Sequence, residues 1–170
     1  MTIEGISPLL MHAYPLQPIE GLDKKSSKEQ AEHAAYRCPD TGELFIPGVS
    51  VQRALVAGAA YSKGKGRASL AKPVAACVII GSERLTLGTK EYVVDSRAVV
   101  IPSTKGRIVR HRPRLDKWRA SFDVDFDDTL LTADQLRRVV DDTGKNVGIL
   151  DFRPEHKGPF GRFMVVSWKD

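Results

Sequence analysis

The feature that most constrains this 170-residue sequence is an abrupt change from a strand pattern to a helix pattern within residues 42–60, GELFIPGVSVQRALVAGAA. Pro47 favours an extended conformation at the residue before it. Gly48 lets the chain turn without a side chain in the way. We therefore expect a strand, a sharp elbow and then a helix over residues 51–61 with Ser50 as its N-cap.

Two helices are indicated by apolar residues at helical spacing. In the helix after the elbow, small residues form one smooth face, made of Val51, Ala54, Leu55, Gly58 and Ala59. A second helix begins after Thr132 and ends at Gly144, because these residues are typical of an N-cap and a C′ position. Its buried face is predicted to contain Leu136, Val139, Val140 and Thr143. A shorter helix follows Ser27, which with Gln30 suggests a capping box.

The remaining patterns favour strands. Residues 118–126 alternate between apolar and polar side chains, which is typical of a half-exposed strand. The first strand pattern is interrupted at Ser7 and Pro8, and a last strand follows a glycine-rich turn. We predict strands at 2–12 and 73–81, one or two strands within 84–101, and a last strand after the turn within 158–170.

When the short helix and the middle hairpin are set aside, the element order is βαββαβ. This is the ferredoxin-like order, a four-stranded antiparallel sheet with two helices on one face. The predicted fold class is therefore α+β, a modified ferredoxin-like (RRM-like) sandwich with an inserted basic hairpin, in a single domain over 1–170. The open face of such a sheet commonly binds single-stranded RNA.

Composition fits a globular domain, with 42% hydrophobic and 28% charged residues. The two cysteines, Cys38 and Cys77, are too few for a disulfide framework or a four-cysteine zinc site. The N-terminal residues lack the features of a signal peptide, and no apolar run approaches the roughly 20 residues of a membrane helix. We expect a soluble, cytoplasmic protein without a membrane partner, and its net charge of +5 suits a polyanion.

The strongest signal of function is a basic segment, 97–119, with eight cations and one acid. Alternate side chains of a strand share a side, so arginines at alternate positions can line a groove for a nucleic-acid backbone. The alternative is a solvated hairpin whose arginines pair with the acids of 123–128. The candidate contacts are Arg107, Arg110, Arg112, Arg114, Lys117 and Arg119.

Two other basic stretches are weaker candidates. Glycines separate the cations of the loop at 63–67, so its backbone can approach a phosphate closely; the alternative is an ordinary surface loop. A second loop near the C-terminus carries cations beside glycines, and its alternative is a tight turn that joins helix to strand. The candidates are Lys63, Lys65 and Arg67 in the first loop and Arg153, Lys157 and Arg162 in the second.

The stretch FIPGVSVQRALVAGA resembles a signature of the RAMP superfamily, the RNA-binding subunits of CRISPR effector complexes. The matching residues are Ile46, Pro47, Gly48, Ser50, Arg53, Ala54 and Leu55, and GPFGRF at 158–163 is similar to the family's glycine-rich loop. The resemblance implies that the elbow feeds the first helix of a ferredoxin-like domain. It also implies that Arg53 contacts nucleic acid, that an inserted hairpin within 82–119 grips a guide RNA, and that copies assemble head to tail.

The chain also resembles a set of small phage and prophage proteins of unknown activity. They share GxSPLLMH, IPG, and two later motifs, R-x-RP-x(3)-W and VGI-x-D-x-RP-x-x-x-GxF. In this sequence the motifs lie at 5–12, 46–48, 110–118 and 147–163. This likeness covers most of the chain and supports the fold and class more than an activity.

Few residues suggest catalysis or cofactor binding. His12, at the end of the first strand, is the candidate general acid or base, since some RAMP proteins cut RNA with a histidine. His33 and Cys38 are not a predicted metal site, because they have no further ligands nearby. The aspartates of 123–128 could hold Mg²⁺, but their alternation with apolar residues is better explained by the solvent-exposed side of a strand. No nucleotide-binding or hydrolase motif is present, so we expect neither a metal nor a cofactor.

We therefore expect a non-enzymatic protein that binds single-stranded nucleic acid, with RNA favoured over DNA because the superfamily binds RNA. A guide-RNA backbone subunit in a head-to-tail homo-oligomer, with other ribonucleoprotein subunits, is one form of this function. Two alternatives remain. One is a metal-independent RNA endonuclease of RAMP type, and the other is a protein-interaction subunit of a phage assembly whose basic face meets an acidic partner.

Overall fold

The computed structural model describes residues 1–17, 19–100 and 103–169, without the side chain of Lys65, and shows a mixed α+β architecture. Its helices are α1 (Ser27–His33), α2 (Gly48–Gly58), α3 (Ala71–Cys77) and α4 (Ala133–Asp142). Its strands are β1 (Thr2–Gly5), β2 (Leu9–Leu10), β3 (Phe45–Pro47), β4 (Ile79–Ile80), β5 (Arg84–Thr86), β6 (Val93–Val100), β7 (Arg107–Leu115), β8 (Arg119–Ser121), β9 (Val124–Asp125) and β10 (Phe163–Ser167).

The strands form several small antiparallel sheets. β1 is the middle strand of the order β10-β1-β8, with Ile3 opposite Ala120 on one side and Val165 on the other. A second three-stranded sheet has the order β2-β7-β6, and two-stranded pairs join β3 to β5 and β4 to β9. The α+β class is thus confirmed. The expected break at Ser7 and Pro8 is also present, because it separates β1 from β2.

A long two-stranded hairpin dominates the second sheet. β6 and β7 pair from Val93 opposite Arg114 to Val100 opposite Arg107. The pattern at 84–101, which predicts one or two strands, corresponds to the two strands β5 and β6. Its last residue, 101, lies outside the described residues. Arg112 and Leu115 are buried near the base of β7, whereas Val100 and Val109 are exposed at the far end of the hairpin.

The apolar faces of α2 and α4 meet in one core. Every residue of the predicted α2 face is buried, as are Leu136, Val139, Val140 and Thr143 of the predicted α4 face. The alternation at 118–126 is confirmed for Trp118, Ala120 and Phe122, which are buried, while Val124 and Phe126 are half-buried. Helix α4 contacts β10 of the sheet that contains β1, whereas α2 contacts α4 and the strands β3 and β4.

The strand predicted over 73–81 is wrong for most of its length. Residues 71–77 form α3, and only Ile79 and Ile80 belong to a strand. The buried residues around this helix are Leu70, Val74, Cys77 and Val78. Their spacing of three and four is that of one helix face, which a short apolar run does not distinguish from a buried strand.

Three of the four predicted helix termini differ from the structure. The capping box of α1 is formed by Ser26 and Glu29 rather than by Ser27 and Gln30: the Ser26 Oγ accepts the Glu29 N–H at 3.3 Å. The α-helical part of α4 ends at Asp142, and the helical chain continues past Gly144 through a π-helical turn, Thr143–Val147. The predicted Thr132 cap of α4 is confirmed, since its Oγ1 accepts the Gln135 N–H at 3.3 Å.

The elbow at Pro47 and Gly48 starts α2 before the predicted cap. Helix α2 starts at Gly48 with Pro47 as its N-cap, so Ser50 lies inside the first turn and is not the N-cap. The Gly48 N–H donates to the Glu83 carbonyl oxygen at 2.8 Å. A Cβ atom at Gly48 would fall inside van der Waals contact of the Ser82 carbonyl oxygen. Glycine is therefore required here by the close approach of the 82–83 backbone. No described helix is long and apolar enough to cross a membrane.

We expect Gly48→Ala to destabilise the protein by about 1–3 kcal/mol, because the added methyl group must displace the Ser82 backbone. Urea unfolding measures this loss. Gly81→Ala is the matched control, since its added Cβ would make an ordinary contact of 3.5 Å with Asp123. Equal stability of the two variants would contradict the steric explanation.

Candidate functional site

A polar cavity of about 240 Å³ forms where β2, α2 and the segment after the π turn meet. Ser50 and Arg53 reach it together because residues three apart on a helix lie on one face. His12 enters from two residues beyond β2, and Asp151 and Arg153 enter from the C-terminal segment. The lining side chains that matter for its chemistry are His12, Tyr36, Ser50, Arg53, Asp151 and Arg153.

Asp151 is held in this cavity by the backbone. Its N–H donates to the Leu10 carbonyl oxygen at 3.0 Å, so its side chain comes next to His12, two residues further along the chain. The His12 Nδ1 and the Asp151 Oδ2 are 3.5 Å apart. The Tyr36 hydroxyl donates to the His12 carbonyl oxygen at 3.4 Å, which ties the turn after α1 to the same place.

A buried arginine on β7 completes the support of this carboxylate. Arg112, whose side chain is only 6% exposed, forms an ion pair with Asp151. Burial raises the pKa of Asp151, but the contact with His12 and the charge of Arg112 outweigh it and bring the pKa to about 2. The carboxylate is therefore ionised at neutral pH and fixes the His12 ring.

A second cavity, of about 520 Å³, shares His12 with the first. Its lining side chains include Tyr14, Leu16, His33, Arg110 and His111. Tyr14 is 86% exposed, and it presents an aromatic ring to solvent beside the cavity. The His111 ring is oriented by Ser96, whose Oγ lies 2.7 Å from Nδ1. We call the two cavities together the His12 groove.

Two cations of the groove are available to a ligand. Arg53 and Arg110 are exposed, and neither forms an ion pair with another described residue. Arg153 is more restrained, because its guanidinium donates to the Leu150 carbonyl oxygen at 2.8 Å and pairs with Glu155 at 2.5 Å. The groove thus contains two cations without an ionic partner among the described residues, and one arginine whose charge is offset by Glu155. Its carboxylate, Asp151, is already paired with Arg112.

Several arginines of the predicted basic segment have acidic partners inside the protein. Arg112 is buried against Asp151, Arg119 pairs with Glu4, and Arg114 pairs with Asp95 at 3.4 Å and with Asp116 at 2.8 Å. These partners are not the acids of 123–128. The members of the segment without an ion pair among the described residues are Lys105, Arg107, Arg110 and Lys117.

The loop at 63–67 lies outside the His12 groove. Gly64 lines a different depression with residues 128–135. Lys63 and Arg67 are exposed, and Arg67 has a left-handed backbone with φ of 65°. Lys65 is also a predicted contact, but its side chain lies outside the described part of the structure.

The C-terminal loop contributes only one of its three predicted cations to the groove. Arg153 lines the smaller cavity. Lys157 is exposed at a left-handed turn with φ of 61°, and the Arg162 guanidinium donates to the Lys145 carbonyl oxygen at 2.8 Å. The glycine-rich segment therefore serves partly to fold the loop back on the π turn.

Sequence reasoning missed Tyr14, Tyr36 and Asp151 as residues of the groove. Asp151 lies inside the VGI-x-D-x-RP motif, which was a usable signal. Tyr14 is an aromatic residue in a proline-rich connection, where it has no periodic apolar neighbours and so no evident place in a core. Ser50 is present in the groove, although its place in the sequence favours a helix cap.

No protein-family model matches this sequence, and no match to it was found among curated proteins. Within residues 1–17, 19–100 and 103–169, no three His, Cys, Asp or Glu side chains come together as a metal-binding group.

We expect Asp151→Asn to destabilise the protein by about 3 kcal/mol, because it leaves the buried Arg112 charge without its partner. The pKa of Asp151 is about 2, below the unfolded value of about 3.9. Its contribution is therefore present above pH of about 4 and is lost as the pH falls towards about 2.

Urea unfolding between these pH values measures both effects. Stability of the Asn variant should fall less steeply with acid than that of the unaltered protein. Asp141→Asn is the control, since Asp141 pairs with Arg137 on an exposed helix face and should contribute less than about 0.5 kcal/mol. Similar losses in both variants would contradict the role of the Arg112 ion pair.

Proposed function

We propose that this protein binds single-stranded nucleic acid, preferably RNA, in the His12 groove. The observation that carries the proposal is that two cavities share His12 in their linings. One contains Arg53 and Arg153, and the other contains Arg110 and the exposed Tyr14. Cationic side chains follow a phosphate backbone, and aromatic rings stack on unpaired bases without regard to sequence. RNA is preferred because the sequence resembles RNA-binding RAMP proteins.

The strand pairings support a ferredoxin-like arrangement for the fold. If β8 and β9 are taken as one irregular strand, the antiparallel pairs join in the order β10, β1, β8/β9, β4. When these four strands are numbered by their order along the chain, their order across the sheet is fourth, first, third and second. Helix α2 precedes β4 and α4 precedes β10, which matches a βαββαβ unit.

Exposed cations beyond the groove extend the proposed path of the strand. Arg107 lies further along the β6–β7 hairpin, and Lys117 follows its base. Lys63 and Arg67 lie in the separate loop and form a second contact region in this proposal. Head-to-tail copies of the chain along the strand, in a guide-RNA complex, are the assembly that the RAMP resemblance implies.

Fluorescence anisotropy with a labelled oligouridylate at low salt tests the binding proposal. We expect Arg53→Gln and Arg110→Gln each to weaken binding about tenfold, as expected when a charged hydrogen bond is removed. Each should also reduce the salt dependence of log K by about 0.7 for every phosphate that the variant no longer neutralises. Arg138→Gln is the matched control, because Arg138 is exposed on α4 and lines neither cavity.

Three results would count against this proposal. Equal losses of affinity in all three variants would show non-specific attraction by net charge. Preference for a DNA strand over the RNA strand would remove the RNA assignment. Absence of binding to either strand at low salt would overturn the proposal and favour the alternative of a protein-interaction subunit.

A second candidate function, metal-independent RNA cleavage, is favoured by the contact between His12 and Asp151. The carboxylate orients the ring through Nδ1, which directs Nε2 to act as a base. In such a reaction His12 would take the proton of a ribose 2′-hydroxyl, whose oxygen attacks the adjacent phosphorus. The bond to the next nucleotide's 5′-oxygen then breaks, and that oxygen takes a proton from a general acid or water.

Incubation of labelled RNA with the protein in EDTA tests this candidate. If cleavage occurs, we expect His12→Ala to slow it by about a hundredfold or more. His156→Ala is the control, since His156 is exposed and lines neither cavity. Cleavage that survives in the His12 variant, or that is absent in the unaltered protein, would dismiss His12 as a general base.

A further inference from the structure

The two cavities of the His12 groove have different linings. Polar and cationic side chains surround the smaller cavity, which contains Ser50, Arg53 and Arg153. The larger cavity is lined in part by aliphatic side chains, of which Ile19 and Leu22 are half-buried and Leu16 is fully exposed. Apolar side chains are not needed to follow a phosphate backbone, so the half-buried Ile19 and Leu22 favour a ligand with an apolar part as well as an anionic part.

We propose that the His12 groove holds one nucleotide as a unit, with its base in the larger cavity and its phosphate in the smaller one. This inference rests on the proposed function and deepens it, since it assigns separate roles to the two cavities. It also extends to ligands that are not polymers: the groove takes a free nucleoside monophosphate. The volumes of about 240 and 520 Å³ together suit a ligand of this class, for which sites of about 300–1,000 Å³ are typical.

The phosphate position follows from the cations of the smaller cavity. Arg53 is exposed, and it forms no ion pair with a described residue. Arg153 is fixed by Leu150 and Glu155, so it loses little side-chain entropy on binding. Because Glu155 also offsets its charge, Arg53 is the main phosphate contact. The Asp151 carboxylate in the same cavity is compensated by Arg112 and therefore repels an incoming phosphate less than a lone carboxylate would.

The base position follows from the aromatic and apolar side chains of the larger cavity. The Tyr14 ring is 86% exposed, and a base that covers it buries aromatic surface otherwise left in water. Arg110 and His111 lie on the side of the cavity formed by β7. His12 lines both cavities, so the ribose is assigned to the junction beside it.

Isothermal titration calorimetry with adenosine monophosphate, adenosine and inorganic phosphate tests the inference on the full chain. We expect adenosine monophosphate to bind more tightly than adenosine or phosphate. Tyr14→Ala should weaken adenosine monophosphate and adenosine binding about tenfold, as expected when base stacking is removed. The same variant should leave phosphate binding unchanged, whereas Arg53→Gln should weaken both phosphate and adenosine monophosphate.

Tyr61→Ala is the matched control, because Tyr61 is 58% exposed and lines neither cavity. The inference is overturned if adenosine monophosphate binds no better than phosphate, or if Tyr14→Ala and Tyr61→Ala behave alike. Parallel titration with the oligouridylate separates the two proposals. Oligouridylate binding without nucleotide binding leaves the proposed function standing and removes only the nucleotide site, whereas the absence of both removes both.

Discussion

The ion pair between Arg112 and Asp151 is the interaction on which the geometry of the groove depends. It joins β7 to the segment after the π turn, two parts of the chain that are 39 positions apart. The same carboxylate contacts His12, and the Asp151 N–H binds the Leu10 carbonyl oxygen. Because a buried charge without its partner is costly, these three segments are held together as a set.

The net positive charge of the chain is therefore a poor guide to where a ligand binds. Arg97 pairs with Asp95 at 2.6 Å and lies over the Phe160 ring at 4.8 Å, and so it connects the hairpin to the C-terminal loop. The Asp95 carboxylate also accepts a hydrogen bond from the Arg114 guanidinium. These arginines stabilise the base of the hairpin against the rest of the protein. Only the cations without an acidic partner among the described residues are available to a ligand, and their position in the fold matters more than the net charge.

The elements that sequence reasoning identifies are those with a long repeating pattern. α4 is predictable with its Thr132 cap because ten residues show one helical period and one capping box. α3 is not, because a run of only seven residues with few polar side chains fits either period. The displaced start of α2 depends on Glu83, a residue 35 positions away, whose carbonyl oxygen no local pattern reveals.

The groove itself could be predicted only in part. Arg53, Arg110 and Arg153 are candidates from their charge and motifs, and His12 from its place at the end of a strand. Their convergence could not be predicted, because it results from long-range contacts between β2, β7 and the C-terminal segment. Tyr14 could not be predicted, because it belongs to no periodic pattern or motif in the sequence.

The position of β1 between β8 and β10 also bears on how the chain folds. Both partners lie late in the sequence, and Glu4 is separated from its neighbour Arg119 by 115 positions. During synthesis β1 therefore has neither sheet partner until more than 100 further residues have been added. Pairing over such distances closes large loops and is slow. During that interval Ile3, which is buried in the folded protein, and both edges of β1 are exposed to solvent. The incomplete chain can therefore pair through β1 with another polypeptide and aggregate.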